Sequence, residues 1–260
     1  MKTSIAAAFF LSFFFTLSPA FAYERVVVLY GAISPILVEL GVENLVAGST
    51  KTDEIFLNTP KVGSHLKPNI ELIKALKPDL ILAGSMRAYP PALKEKISVK
   101  TFYYDPGSLD DVMEKIKELG QIFKKDKEAQ ALVLKLKNKL TAIKPLTKKV
   151  TVVYEVSENP LKVAGKKSII TSIIEAAGGV NMIETDKKHV LISPEQVIVL
   201  KPDYYICQQG PMNKNPQPPL ERDYFKPLKS LVINVEEIDF ARPGMNVFDA
   251  AVKLNKLFAK

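Results

Sequence analysis

The chain has 260 residues, a formal net charge of +8, two histidines, one cysteine and no tryptophan. Much of the positive charge is lysine spread along helical stretches such as "KKDKEAQALVLKLKNKL", with no basic stripe interleaved with stacking aromatics, so the pattern argues against a nucleic-acid partner. The single cysteine, Cys207, excludes an intramolecular disulfide, so the fold must rest on its core.

Residues 1–22 read as an export signal: Lys2 supplies the positive start, an apolar run follows from Ile5 to Leu17, and Ala20-Phe21-Ala22 fits a cleavage site before Tyr23. The run falls short of the roughly 18–20 residues that span a bilayer. No cysteine at the cleavage site marks a lipid anchor. A soluble, exported, periplasmic protein cleaved after Ala22 is expected. Removing 22 of the 260 residues leaves 238, enough for one large or two modest domains with real cores.

From Arg25 short apolar runs alternate with amphipathic stretches. "RVVVLY" (25–30), "NLVAGS" (44–49), "DLILAG" (79–84) and "VKTFYY" (99–104) read as strands. Between them, 34–42, 69–78 and 90–97 read as helices. Asn69 is placed as an N-cap and Gly41 as a helix stop. Two helices follow, over 110–123 and 126–144. The second has apolar residues at 129, 132, 133, 136, 140 and 143, an expected length of about 28 Å, and Pro145 at its end. The rhythm then resumes: strand 149–156, helix 168–179, helix 193–202 capped by Ser193, strands 203–208 and 230–237, and a terminal helix over 247–259. Such alternation predicts two similar α/β lobes with mostly parallel central sheets joined by one long helix. The boundaries are a signal at 1–22, an N-terminal lobe at 23–124, an interlobe helix at 125–145 and a C-terminal lobe at 146–260. Ligands of open parallel sheets bind beyond the carboxyl ends of the strands, which between two lobes is a cleft.

The two halves share a phrase. "HLKPNIELIKALKPDLIL" (65–82) returns as "HVLISPEQVIVLKPDYYI" (189–206) at an offset of 124, and each copy opens on one of the two histidines. Helix-start chemistry accounts for the Asn or Ser, the glutamate and the Lys-Pro stop, but not for the histidines.

These segments resemble the class III substrate-binding proteins of ABC importers, the siderophore-, haem- and cobalamin-binding family. The likeness lies in "RVVVLYGAISPILVELGVENLVAG", "PKVGSHLKPNIELIKALKPDLILAG", "PLKVAGKKSIITSIIEAAGGVNMI" and "ARPGMN", in that order. The resemblance implies a binding protein rather than an enzyme, with an importer permease and its ATPase as partners and a small metal chelate as cargo. It implies a monomer without an intrinsic cofactor. The transported ligand would be an iron, cobalt or nickel chelate: haem, ferric siderophore or corrinoid. It also implies that Glu71 and Glu195 dock onto permease arginines, and that His65 and His189 line the cleft, one from each lobe. A neutral imidazole can ligate a metal within a bound chelate or hydrogen-bond an acidic group.

Further cleft candidates sit at strand ends: Tyr30 and Ser34; Ser85, Met86, Arg87 and Tyr89; Glu155; Gln208, Gln209, Met212 and Asn213; and Arg242 in the "ARPG" turn. Arg87 and Arg242 suit ligand carboxylates, or are plain surface and turn residues. The polar, proline-rich segment 208–225 is expected to cap one side of the cleft. Two other functions stay open: a bare transition-metal-ion binder, for which carboxylates would have to complete the shell, and an enzyme on a chelatase-like two-lobed fold, for which no nucleophile elbow or phosphate loop is found.

Overall fold

The computed structural model describes residues 23–260; the expected export signal lies outside them. The first lobe is built on a four-stranded parallel sheet in the order Val46–Ser49, Val26–Val28, Leu80–Ala83, Lys100–Tyr103. Every residue of the two inner strands is fully buried, because helices cover both faces. That is why they read as unbroken apolar runs rather than alternating ones. The edge strand is half-buried and begins on Lys100, a charge that discourages pairing with another sheet.

Local chemistry fixes the helices of this lobe. Ser34–Glu39 has a proline in its first turn and is followed by Gly41 at φ +66°. Ile70–Ala75 is capped by Asn69, whose Oδ1 accepts from the backbone N–H groups of Glu71 and Leu72, each at 3.1 Å. The helix expected over 90–97 is confined to Pro91–Lys94.

Two helices then run side by side. Leu109–Phe123, capped by Ser108, starts against the second lobe, where the Leu109 N–H donates to Ser172 Oγ at 3.0 Å. It ends beside Tyr23 of the first, whose ring meets Phe123 at 6.5 Å. A two-residue turn reverses the chain into Asp126–Leu140, which therefore packs antiparallel to it. A Cβ at Gly120 would overlap the Cβ of Ala129, so only glycine permits this close crossing. Asp126–Leu140 spans about 22 Å. It pairs Lys135 with Glu39 of the first lobe (2.7 Å) and Lys139 with Asp249 of the terminal helix (2.6 Å). It stops short of Lys144, because residues 141–143 tighten into three-residue turns.

The second lobe carries a mixed sheet in the order His189–Leu191, Lys162–Ala164, Val150–Ser157, Tyr204–Gln209, Leu231–Glu236. One edge of Val150–Ser157 is shared: its first half pairs parallel with Gly179–Asn181 and its second half antiparallel with Lys162–Ala164. Pro194–Leu200, the counterpart of Ile70–Ala75, begins with a complete capping box between Ser193 and Gln196. Asn246–Phe258 closes the chain.

Alternation along Val150–Ser157 sorts the cores. Val152, Tyr154 and Val156 face a large core shared with Ile36 and Leu82 of the first lobe, Ile116 and Leu132 of the paired helices, and Ala251 of the terminal helix. Val153 faces a separate cluster with Val163, Val197, Tyr205, Cys207 and Phe225. The shared core makes the helical pair and the two lobes one packed body.

Candidate ligand-binding cleft

Tyr30 and His65 form the first-lobe side. Tyr30 follows the first strand, and its ring stacks on the His65 imidazole with centroids 4.4 Å apart and planes inclined by 27°. Tyr104, at the end of the edge strand, lies at 6.4 Å from Tyr30. His65 Nδ1 lies 3.1 Å from the Leu29 carbonyl oxygen. A carbonyl only accepts, so Nδ1 carries the proton and the neutral ring keeps a lone pair on Nε2. Nε2 has no hydrogen-bond partner among the described residues. Gly84 supports the ring from below: a Cβ there would overlap His65 Cε1. Burial lowers the His65 pKa, opposed by the Leu29 hydrogen bond and the Asp105 charge and assisted by Arg242.

The second lobe closes onto this pair. The 242–244 turn packs on the first-lobe turn at Ala32, where a Cβ on Gly244 would meet the Ala32 carbonyl at 3.1 Å. The charges of Arg242 and Glu237 consequently reach Tyr30. Asp105, directly after Tyr104, is bridged to Lys188 of the second lobe at 2.6 Å. His189 is the next residue, exposed at the start of the edge strand. Desolvation first, then the cations Lys188, Lys162 and Arg87, lower its pKa. The structure thus brings second-lobe Arg242 within electrostatic reach of first-lobe His65 and Tyr30, and first-lobe Arg87 within reach of second-lobe His189. Ser85 is half-buried, with Oγ accepting from the Ala88 N–H at 3.3 Å, while Met86 and Arg87 beside it are exposed.

Five of the expected cleft residues are turned inward. Ser34 is fully buried and donates to Asp53 Oδ2 at 2.5 Å; Asp53 Oδ1 accepts from the Ile55 and Phe56 N–H groups, tying the turn after the strand Val46–Ser49 to the start of the Ser34–Glu39 helix. Tyr89 lies in the core beneath the 85–89 turn. Gln208 accepts from Tyr154 Oη at 3.1 Å and donates to the Val156 carbonyl at 2.9 Å. Glu155 and Asn213 belong to a buried network around Arg222. The guanidinium of Arg222 is 0 % exposed and holds Glu155 through two bonds, of 2.5 and 3.0 Å. Tyr205 Oη also donates to Glu155, as do Asn213 Nδ2 (3.0 Å) and the Cys207 thiol (3.3 Å). This network pins segment 210–222 over the strand ends, leaving Gln209 and Met212 exposed at its surface. The Cys207 pKa is pushed up to about 12 by burial and then by the Glu155 charge, so the thiol stays protonated and inert.

Sequence reasoning missed Arg222, Asp53, Asp105 and Lys188. Of these only Asp105 carried a signal, since it directly follows a predicted strand end. Among the described residues no group of three or more His, Cys, Asp or Glu side chains could hold a metal ion, and no helix is long and apolar enough to cross a membrane.

Glu71 and Glu195 lie on the first turns of the two equivalent helices. The Glu71 side chain is 80 % exposed and weakly paired with Lys74 at 3.4 Å. Glu195 is also exposed, its pKa lowered by hydrogen bonding to Ser193 and to its own backbone.

Comparison with known proteins agrees with this architecture. Residues 26–219 match the family model described as periplasmic binding protein. The high-affinity heme uptake system protein IsdE of Staphylococcus aureus (strain MRSA252) is 25 % identical over 224 residues, covering 79 % of this chain and 76 % of IsdE. The crystal structure of S. aureus IsdE complexed with heme superimposes with a TM-score of 0.78 at 24 % identity, covering 91 % of this chain and 99 % of that one. An ABC transporter substrate-binding protein from Listeria monocytogenes EGD-e gives 0.79 at 20 % identity, covering 90 % and 98 %. The chain belongs to the periplasmic binding protein family, as a binding protein and not an enzyme, with the two-lobed fold of the class III ABC-importer substrate-binding proteins.

Proposed function

We propose that the protein captures a metal chelate of the haem type between its lobes and delivers it to an ABC-importer permease and ATPase. The observation that carries this is the His65 site. Its ring is oriented by Tyr30, Gly84 and the Leu29 carbonyl so that an unprotonated Nε2 is left for a ligand. Orienting a metal-binding imidazole through its other nitrogen is how proteins fix both tautomer and direction. A site with one fixed protein donor suits a metal whose remaining positions a chelate already fills, such as the iron of haem, better than a bare ion. The heme named for IsdE supports the same choice within the wider siderophore, haem and corrinoid class.

In this function His65 ligates or contacts the metal, Tyr30 packs against the chelate, and His189 faces it from the other lobe. Arg87 and Arg242 neutralise its acidic groups, and Ser85, Met86, Gln209 and Met212 line the walls. The protein works as an exported periplasmic monomer, cleaved after Ala22. Glu71 and Glu195, one per lobe, dock onto cations of the permease and set its register. The test is a spectrophotometric titration of the mature protein with haem. Saturable binding is expected, with a Soret band that changes in His65→Ala. Absence of saturable binding, or a His65→Ala spectrum and affinity identical to wild type, overturns the assignment.

A further inference from the structure

One ion pair joins the lobes between the surroundings of the two histidines. Lys188 Nζ lies 2.6 Å from Asp105 Oδ1, and each side chain is 47 % exposed. Asp105 follows Tyr104, whose ring packs near Tyr30, and its charge acts on both Tyr30 and His65. Lys188 directly precedes His189, and its charge acts there together with those of second-lobe Lys162 and first-lobe Arg87, so the surroundings of His189 are cationic.

Both partners stand on fixed backbone. The Tyr104 N–H continues the first sheet by donating to the Ala83 carbonyl at 2.8 Å. The loop carrying Lys188 is laced to residues 165–167 by bonds from the Gly165 N–H to the Lys188 carbonyl (3.0 Å), from Lys166 to Thr185 (2.9 Å) and from Lys167 to Lys187 (3.2 Å). A Cβ at Gly165 would overlap the Lys187 carbonyl, so the loop lies flat against it. Breaking the ion pair therefore needs only side-chain rotation. An exposed pair contributes little net stability, so a carboxylate arriving with a ligand can replace Asp105 at small cost.

We propose that Asp105–Lys188 is an exchangeable latch. In the ligand-free protein Asp105 occupies Lys188; on binding, a peripheral carboxylate of the chelate takes Asp105's place. The chelate then enters with its metal toward His65 and its acidic edge toward Lys188, Arg87 and Lys162. Lys188 thereby selects chelates that carry peripheral anions over those that do not. This inference rests on the haem-type assignment above.

The test compares haem with its dimethyl ester, which keeps the metal and loses both carboxylates, in wild type, Asp105→Asn, Asp105→Glu and Lys188→Gln. Titrations are run at low and high salt, with circular dichroism to verify folding. Asp105→Asn should bind haem about two- to five-fold more tightly, the range open to an exposed pair, and Asp105→Glu should return to the wild-type value. Lys188→Gln should weaken haem binding by a similar factor and flatten its salt dependence. The ester should bind all four proteins alike. Haem affinities equal across wild type and variants, or weaker binding by Asp105→Asn, overturn the latch while leaving the assignment standing if wild type still binds haem through His65. Failure of wild type to bind haem overturns both.

Discussion

Replacing Arg222 by methionine should be among the most damaging single changes in the second lobe. The substitution keeps an unbranched chain of similar reach but removes bonds to Glu155 Oε2 (2.5 Å), Glu155 Oε1 (3.0 Å) and the Gln217 carbonyl (2.8 Å). Both ionic side chains are 0 % exposed, so water cannot replace the lost partner. Glu155 retains Tyr205, Asn213 and Cys207 as donors, which solvate its oxygens without neutralising its charge. Leaving a buried charge unpaired costs about 3–5 kcal/mol. At about 2–4 °C per kcal/mol for a protein of this size, the melting temperature should fall by about 6–20 °C. Glu155→Leu should cost less, because Arg222 keeps the partly exposed Glu158 at 3.4 Å. The Glu155→Leu/Arg222→Met double variant should recover much of the loss, since neither charge remains buried. Urea unfolding of the four proteins measures this directly. A stability of Arg222→Met within about 1 kcal/mol of wild type, or a double variant no better than Arg222→Met, would refute the reasoning.

Gly84→Ala should displace the His65 ring and weaken haem binding by about tenfold or more while leaving the far-ultraviolet spectrum unchanged; wild-type affinity would show that the ring position is immaterial. With only two histidines in the chain, proton NMR can follow both titrations, and both midpoints should fall below 6.5. The sign follows from the unfolded chain, which titrates near 6.5 and binds protons before the native state does. Stability from these groups is therefore present above that pH and lost as pH falls toward the lowered native values. A His65 midpoint above 6.5 would contradict the burial argument, and a His189 midpoint above 6.5 would contradict the combined effect of desolvation and the neighbouring cations. Charge reversal of Glu71 and Glu195 to lysine should impair uptake in cells while leaving haem titrations of the isolated protein unchanged; normal uptake would remove their docking role.

The internal echo of 65–82 in 189–206 illustrates how far a linear pattern reaches. Asn69 and Ser193 were legible as caps because a side-chain acceptor two or three residues before free N–H groups is a local arrangement. The two glutamates were legible as exposed for the same reason. The two histidines are less alike than their shared position suggests. His65 is held in a slot of Tyr30, Gly84 and Leu29, whereas His189 starts an exposed edge strand among cations. Nothing within either phrase distinguishes them.

Periodicity and punctuation in the sequence determined the longer strands and helices, the mostly parallel sheets and the two lobes. These follow from short-range backbone chemistry and from which residues must leave water. The short strands Lys162–Ala164 and His189–Leu191, whose antiparallel pairing makes the second sheet mixed, and Gly179–Asn181 were not foreseen. The tertiary structure alone decided which polar strand-end residues face the cleft. Ser34, Glu155 and Gln208 look like ligand contacts in a linear reading but are turned inward. Their partners Asp53, Arg222 and Tyr154 are distant in sequence, as Lys188 is from Asp105. A buried polar side chain is tolerable only when such a partner arrives, and chain packing, not local pattern, delivers it.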